Sequence, residues 1–340
     1  MTSIDTYEPL HKSFNGPGDQ RPTAMQIVQD QGLEGKWTDK TILITGCTAG
    51  IGIETARAMY ATGAKVVITA RNMTKGNEVA KELSTDASRP VEVLEMSLDS
   101  LDSVRKGANA FLAKIKHLNV LINNAGVMAI PDRTLTVDGF EAQFGANHLG
   151  HFLFFQLLKS TLLTSSTRDF ASRVISVSSS GHKMTDRIQF DDFNFDRTEY
   201  SDFKAYAQSK LANIYFASEL DRRYGSRGLH ALSVHPGSIL TKLRRHLRPD
   251  NSLLAAMSGI EEYIKSQKSV EQGAATQVWA AVAREWEGKG GRYLENCAES
   301  PPLDPNAPFF TAGYAPHAYN PDAEARLWKA SCEMVGIDDD

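Results

Sequence analysis

Cysteine is scarce: Cys47, Cys297 and Cys332 are the whole complement of a 340-residue chain. An odd count without metal-like spacing excludes a disulfide framework and a zinc module, and fits a reducing compartment. No run reaches the roughly 18 uninterrupted apolar residues of a membrane-spanning helix. Residues 1–35 are polar, carry Pro17, Pro22 and several glycines, and lack the apolar core of a signal peptide. An excess of one charge is lacking too. Lys and Arg number 37 against 41 Asp and Glu, a net charge of −4, which argues against a general nucleic-acid binder. There is no internal repeat and no coiled-coil heptad. The 41% hydrophobic and 23% charged content is ordinary for a soluble globular protein. A cytoplasmic protein is the expectation.

Lys40–Gly52 organises the rest. Its apolar, β-branched start suits a buried strand; Gly46, Gly50 and Gly52 follow, then Ala and apolar residues at helical spacing. Glycines let a backbone turn sharply and approach a ligand, and a helix N-terminus attracts phosphate. The spacing G-x-x-x-G-x-G admits a phosphate cradle or a tight turn with no ligand. Further strands are expected at 65–70, 91–94, 118–122, 173–178, 229–235 and 290–294, and helices at 74–83, 101–115, 139–163 and 203–224. This alternation predicts an α/β fold of Rossmann type: a doubly wound, mostly parallel, seven-stranded sheet with helices on both faces. Residues 1–36 read as an N-terminal extension, with a helical turn or two at 22–29 docked by Met25 and Val28. Residues 37–300 read as the catalytic unit and 301–340 as a tail. Residues 238–270 are either a lid or a surface helix pair. In the tail, Asn320 can cap a helix, Pro321 suits its first turn and Gly336 its end, with Trp328, Cys332 and Val335 on one packing face.

Three stretches carry chemistry. Arg71-Asn72 follow the second strand, where an acid would grip a ribose hydroxyl; Arg71 instead suits the 2′-phosphate of NADP(H). Tyr206 and Lys210 stand four apart on one helix face. A free phenol has a pKa near 10, and a nearby ammonium lowers it, which suits acid/base work on an alcohol or carbonyl. Ser178, Ser179 and Ser180 end the fifth strand, where ligands of open α/β sheets bind.

Together with Asn123-Asn124-Ala125-Gly126, Asn147 in NHLGHF, and His235-Pro236-Gly237 before Thr241, these motifs resemble the short-chain dehydrogenase/reductase family, in its retinol-dehydrogenase-like group. The resemblance runs from about Lys36 to Gly336. It implies an NADP(H)-dependent oxidoreductase with Tyr206 as proton donor or acceptor. Lys210 would bind the nicotinamide ribose and lower the tyrosine pKa. Ser179 would hold the substrate oxygen, with Ser178 and Ser180 as lesser candidates, and Asn147 would position a water behind Lys210. Gly46, Thr48, Gly50, Ile51 and Gly52 would form the phosphate turn. Arg71 and Asn72 would meet the adenosine phosphate. Asn124, Ala125 and Gly126 would line the adenosine and ribose path, and Pro236, Gly237, Ile239 and Thr241 the nicotinamide. The adenine-gripping Asp of the family is replaced here by the pair Ser97-Leu98, which has no charge. A homodimer through the helices holding Asn147 and Tyr206 is expected by resemblance.

Two regions stay open. The stretch 180–202, with Phe190, Phe193, Phe195 and Tyr200, either walls the substrate entrance or packs over the sheet. The basic run 242–248 either attracts an anionic substrate or is a solvated face. His151 and His182 lie near the motifs with no partner that the sequence names. A non-redox isomerase or cyclase that keeps the cofactor is the alternative function, and a cofactor-sensing binder without turnover a third. The intact Asn147, Ser179, Tyr206 and Lys210 set weighs against both. The substrate is a small carbonyl or alcohol; the aromatic stretch favours a lipophilic one, and similarity to relatives in fungal secondary metabolism makes a polyketide- or terpenoid-type ketone conceivable.

Overall fold

The computed structural model describes residues 7–247, 260–304, 306–307 and 311–339. Its sheet begins with β1 (Thr41–Ile44), β2 (Lys65–Ala70), β3 (Glu92–Glu95) and β4 (Val120–Asn123). It continues through β5 (Ser172–Val177), β6 (Leu229–His235), β7 (Arg292–Glu295) and β8 (Ala298–Glu299). The spatial order is β3-β2-β1-β4-β5-β6-β7-β8. The pairs from β3 to β7 are parallel, and β8 is antiparallel to β7. The sheet therefore has eight strands rather than the expected seven. The extra strand is a two-residue hairpin return. Its turn residues, Asn296 and Cys297, both adopt positive φ (55° and 53°), as a two-residue hairpin turn of the primed type demands.

Every residue of β1 is buried, as strands covered on both faces require. Alternate side chains serve opposite layers. Ile42 and Ile44 pack with α1 (Ala24–Asp30), α2 (Ile51–Ala61) and α10 (Ala275–Val282), which follows the one-turn α9 (Val270–Gly273). Leu43 packs toward α4 (Leu101–Lys114), α6 (Gly150–Ser165) and α7 (Asp202–Tyr224). In α1, Ile27 and Val28 are buried, whereas Met25 is only half-buried; Thr23 caps the helix by accepting from the Gln26 N–H (3.2 Å). The expected helix at 139–163 is present with a defect. After α5 (Ala142–Phe144), the segment Gly145–Leu149 is π-helical before α6 resumes.

The aromatic stretch resolves toward packing. Phe193 lies 5.1 Å from Phe144, and Phe195 meets Tyr200 edge-on at 5.6 Å. None of Phe190, Phe193, Phe195 and Tyr200 lines the cleft described below. The tail helix α11 (Pro321–Val335) matches its expected bounds: Asn320 Oδ1 accepts the Ala323 N–H (3.1 Å), and Gly336 ends it at φ 66°. Trp328 is buried against Phe152, Phe155 and Phe216, at 5.1, 6.0 and 6.0 Å between rings. Thus α11 lies across the two helices through which a homodimer is expected. Of the expected lid, α8 (Glu261–Ser266) and a bridge between Ile239 and Lys268 are present, while residues 248–259 lie outside the described residues.

Candidate active site

The chain leaves β1 and β4 in opposite directions, so a crevice opens above their carboxyl ends. It is a cleft of about 1000 Å³, spanning from Arg71 past the glycine turn to Tyr206 and Met184. Of the residues expected on the cofactor path, Asn72 alone lies off it. Its Oδ1 accepts the Lys75 N–H (3.0 Å), so the side chain caps α3 (Met73–Leu83) instead.

The glycine turn is tight because it must be. A Cβ on Gly52 would stand 2.4 Å from the Gly46 carbonyl oxygen, and one on Gly46 would meet Ala125 at 2.7 Å. Gly50 begins α2 without a side-chain cap, leaving N–H groups at that helix end for an anion. Thr45 ties the turn to the rest. Its hydroxyl accepts the N–H groups of Asn124 (3.0 Å) and Ala125 (2.9 Å) and lies 2.8 Å from His151 Nε2. His151 Nδ1 is 2.9 Å from the Asn147 carbonyl, which can only accept, so Nδ1 carries the proton and Thr45 donates to Nε2. Burial holds this imidazole neutral, pushed down to about 4. A histidine that the sequence left without a partner therefore joins the phosphate turn to the π-helical segment.

Asn147 is fully engaged. Its Oδ1 accepts the Val127 N–H (2.8 Å), and its Nδ2 donates to Val127 O and Ser209 Oγ (both 2.9 Å). Its carboxamide thus ties the residue after the N-N-A-G segment to α7.

The three serines separate. Ser178 Oγ donates to the Lys210 carbonyl (2.7 Å) inside the fold. Ser179 Oγ accepts the Gly181 N–H (3.0 Å), and its hydroxyl acts on the Tyr206 phenol in the lowering direction. Lys210 Nζ donates to Val177 O (3.0 Å) and lies 5.6 Å from the Tyr206 ring centre. Burial lowers the lysine to about 8. Burial also dominates at Tyr206, pushing it up to about 12 against the opposing Ser179 bond. In the protein alone the phenol is therefore protonated at neutral pH, opposite to the lowering that the lysine spacing predicts. Ser179 is anchored in turn by His182, whose Nδ1 lies 2.7 Å from the Ser179 carbonyl while Nε2 accepts the Ala315 N–H (3.1 Å).

A family model for short chain dehydrogenase matches residues 40–190. The short-chain dehydrogenase/reductase prx1 of Penicillium roqueforti is 47% identical over 95% of this chain and 93% of its own. The chain belongs to the short-chain dehydrogenase/reductase family. Human retinol dehydrogenase 12 is 38% identical over 88% of this chain and 87% of its own. A crystal structure of an uncharacterised Mycobacterium paratuberculosis protein superposes with TM-score 0.68 at 32% identity, covering 91% of this chain and 97% of that one.

Within this dehydrogenase/reductase, several site residues carried no sequence signal. The carboxylate absent at position 97 stands two residues on. Ser97 Oγ donates to Asp99 Oδ1, and both residues line the cleft. Gln277, on the unforeseen α10, donates from Nε2 to Asn124 Oδ1 (3.1 Å). Lys268, His11 and Arg21 also line the cleft, far apart in sequence from the motifs. The basic run divides. Arg244 turns inward, donating to Tyr263 Oη (2.7 Å) and Ser238 Oγ (2.9 Å); Lys242 and Arg245 are exposed on the rim; Arg248 lies outside the described residues.

Proposed function

We propose that the protein is an NADP(H)-dependent oxidoreductase that interconverts a ketone or aldehyde and its alcohol on a lipophilic small molecule. The observation that carries this is the meeting of Tyr206, Ser179 and Lys210 in one cleft with an uncapped helix N-terminus and a rim guanidinium. The donor set fits the cofactor: N–H groups of α2 toward a pyrophosphate, and exposed Arg71 toward a 2′-phosphate. Asp99, polarising Ser97, suits an exocyclic amine such as that of adenine.

The hydride for the carbonyl carbon comes from NADPH when it is bound. Ser179 holds the substrate oxygen, its hydroxyl kept in place by the Gly181 N–H. Tyr206, neutral at pH 7, donates its phenolic proton to that oxygen as negative charge develops there. The Lys210 ammonium, fixed on Val177 O, favours the phenolate left behind. A buried, protonated phenol suits the reductive direction. Residues 37–300 are the catalytic unit in this reading, with the described parts of the extension 1–36 and the tail 301–340 packed on it, in the cytoplasm. Secondary metabolism of the polyketide or terpenoid kind is the proposed setting.

The test is nicotinamide absorbance with a panel of ketones and aldehydes. Tyr206→Phe is expected to lower kcat by about 10²–10⁴-fold while NADPH still binds. Full activity in that variant, or a product formed without any absorbance change, overturns the reading.

A further inference from the structure

Beside Gly237 the cleft holds a buried lysine that makes no ion pair among the described residues. Lys268 is 4% exposed, yet it lines the cleft. Its Nζ donates to Asn296 Oδ1 (3.0 Å) and, at longer range, Pro236 O (3.4 Å). An ammonium has three donors, so one is left over. Among the described residues no carboxylate forms an ion pair with it. Glu295 is taken by Ser300 and the Gly313 N–H, and Asp19 by Arg21 at 2.8 Å. Burying a charge without a partner is costly, so such a site persists where something compensates it. The Asn296 that faces it sits in the strained β7–β8 turn, at φ 55°.

The N-terminal extension packs against the same stretch and completes this part of the wall. Arg21, 3% exposed, donates to Ser266 O and Gln267 O, both at 2.6 Å, and Gln272 Nε2 donates to the carbonyls of Asp19 and Arg21, both at 3.0 Å. So pinned, the extension brings His11 and Phe14 to the cleft. His11 is 8% exposed, and neither ring nitrogen has a hydrogen-bond partner. Burial, then the neighbouring Lys268 and Arg21, keep it neutral, down to about 3, so it has one N–H to give. His235 Nδ1, also buried and lining the cleft, is unpartnered too. Phe14 lies 5.2 Å under the Arg21 guanidinium and offers an apolar surface.

We propose that Lys268 and His11 form a subsite for a carboxylate carried by the substrate remote from its reacting carbonyl, with His235 beside it and Phe14 against the substrate's apolar body. The proposal rests on the reductase reading above for which carbon reacts, but not for what the subsite binds. It makes the N-terminal extension a specificity element of the cleft.

The test compares 4-carboxybenzaldehyde with methyl 4-formylbenzoate at saturating NADPH, and measures benzoate binding by calorimetry. The wild-type protein is expected to favour the acid by at least about tenfold in kcat/KM, mainly through KM. In Lys268→Gln and, separately, His11→Leu, that ratio falls toward one and benzoate binding weakens about tenfold or more. Preference for the ester, or an acid-to-ester ratio unchanged in both variants, overturns the subsite. So does a Lys268→Gln variant that loses NADPH affinity while keeping the ratio, since the lysine then serves the cofactor. If neither aldehyde turns over but benzoate binding depends on Lys268 and His11, the subsite stands and the reductase reading fails.

Discussion

The two walls of the cleft are built differently. The inner wall, from the glycine turn to Tyr206, hangs on strand ends whose register the sheet fixes, and a closed network of Thr45, His151, Asn147 and Asn124 locks it. The outer wall is assembled from the N-terminal extension, the stretch after β6 and the tail. Contacts between residues distant in sequence hold it, such as Arg21 on the carbonyls of Ser266 and Gln267. The first wall is suited to a group that never changes, and the second to one that differs from enzyme to enzyme.

Acidification is the largest perturbation, and it reaches both walls, since burial holds His11 of the outer wall down at about 3 as well. His151 at the inner wall and His148, which bonds Ser331 of the tail helix, are held by burial at about 4 and about 3. The unfolded chain takes up protons near pH 6.5, before the folded one does. Stability is therefore lost as pH falls below 6.5, by about 1.4 kcal/mol per pH unit for each histidine. Urea midpoints from pH 7 to 5 should show this loss, and His151→Gln should make it shallower by one histidine's share; a flat profile in the wild-type protein would mean that burial does not hold these imidazoles neutral.

Thr45→Val removes the acceptor of two buried amides and the donor to His151, and is expected to cost roughly 3 kcal/mol. Thermal unfolding and NADPH titration should both register it, because the same wall serves both. Arg71→Glu touches the inner wall's rim only. It should leave unfolding unchanged and move the NADPH-to-NADH preference by about 100-fold, roughly 2.7 kcal/mol, read as kcat/KM for each cofactor. The smallest effect belongs to the outer wall. Tyr263→Phe deletes the contact that steers Arg244 and should shift substrate KM a few-fold, with less than about 1 kcal/mol of stability lost and cofactor affinity intact. An equal loss of cofactor affinity there would merge the two walls.

The same contrast decides what could be read from the sequence. The bounds of β2, β6 and α11 were legible to the residue, because β-branched runs and caps act locally. So was the inner wall, whose residues lie within short motifs. Arg71 and the glycines fall where spacing puts them. The helix α10 was not legible, since all eight of its residues are buried and leave no polar face to mark a period. The strand β8 escaped because it is two residues long and its turn reads Asn-Cys where Asn-Gly would announce it. Among the three serines only the family resemblance favoured Ser179, since the run itself does not record that Ser178 is bound to the Lys210 carbonyl. Spacing reports the charge beside the phenol but not the depth at which both groups are buried, which raises the phenol in the protein alone. Lys268 and His11 come together across more than two hundred residues, which no local pattern records.

The three thiols are spread over these regions, and all are buried: Cys47 in the phosphate turn, Cys297 in the β7–β8 hairpin, Cys332 on the tail helix. Burial pushes the first two toward the unreactive protonated form, Cys297 up to about 11. An alkylating reagent would therefore find nothing to label until a segment opens. With cysteines replaced two at a time, the labelling half-life of the third becomes a local clock for the breathing of its own part of the molecule.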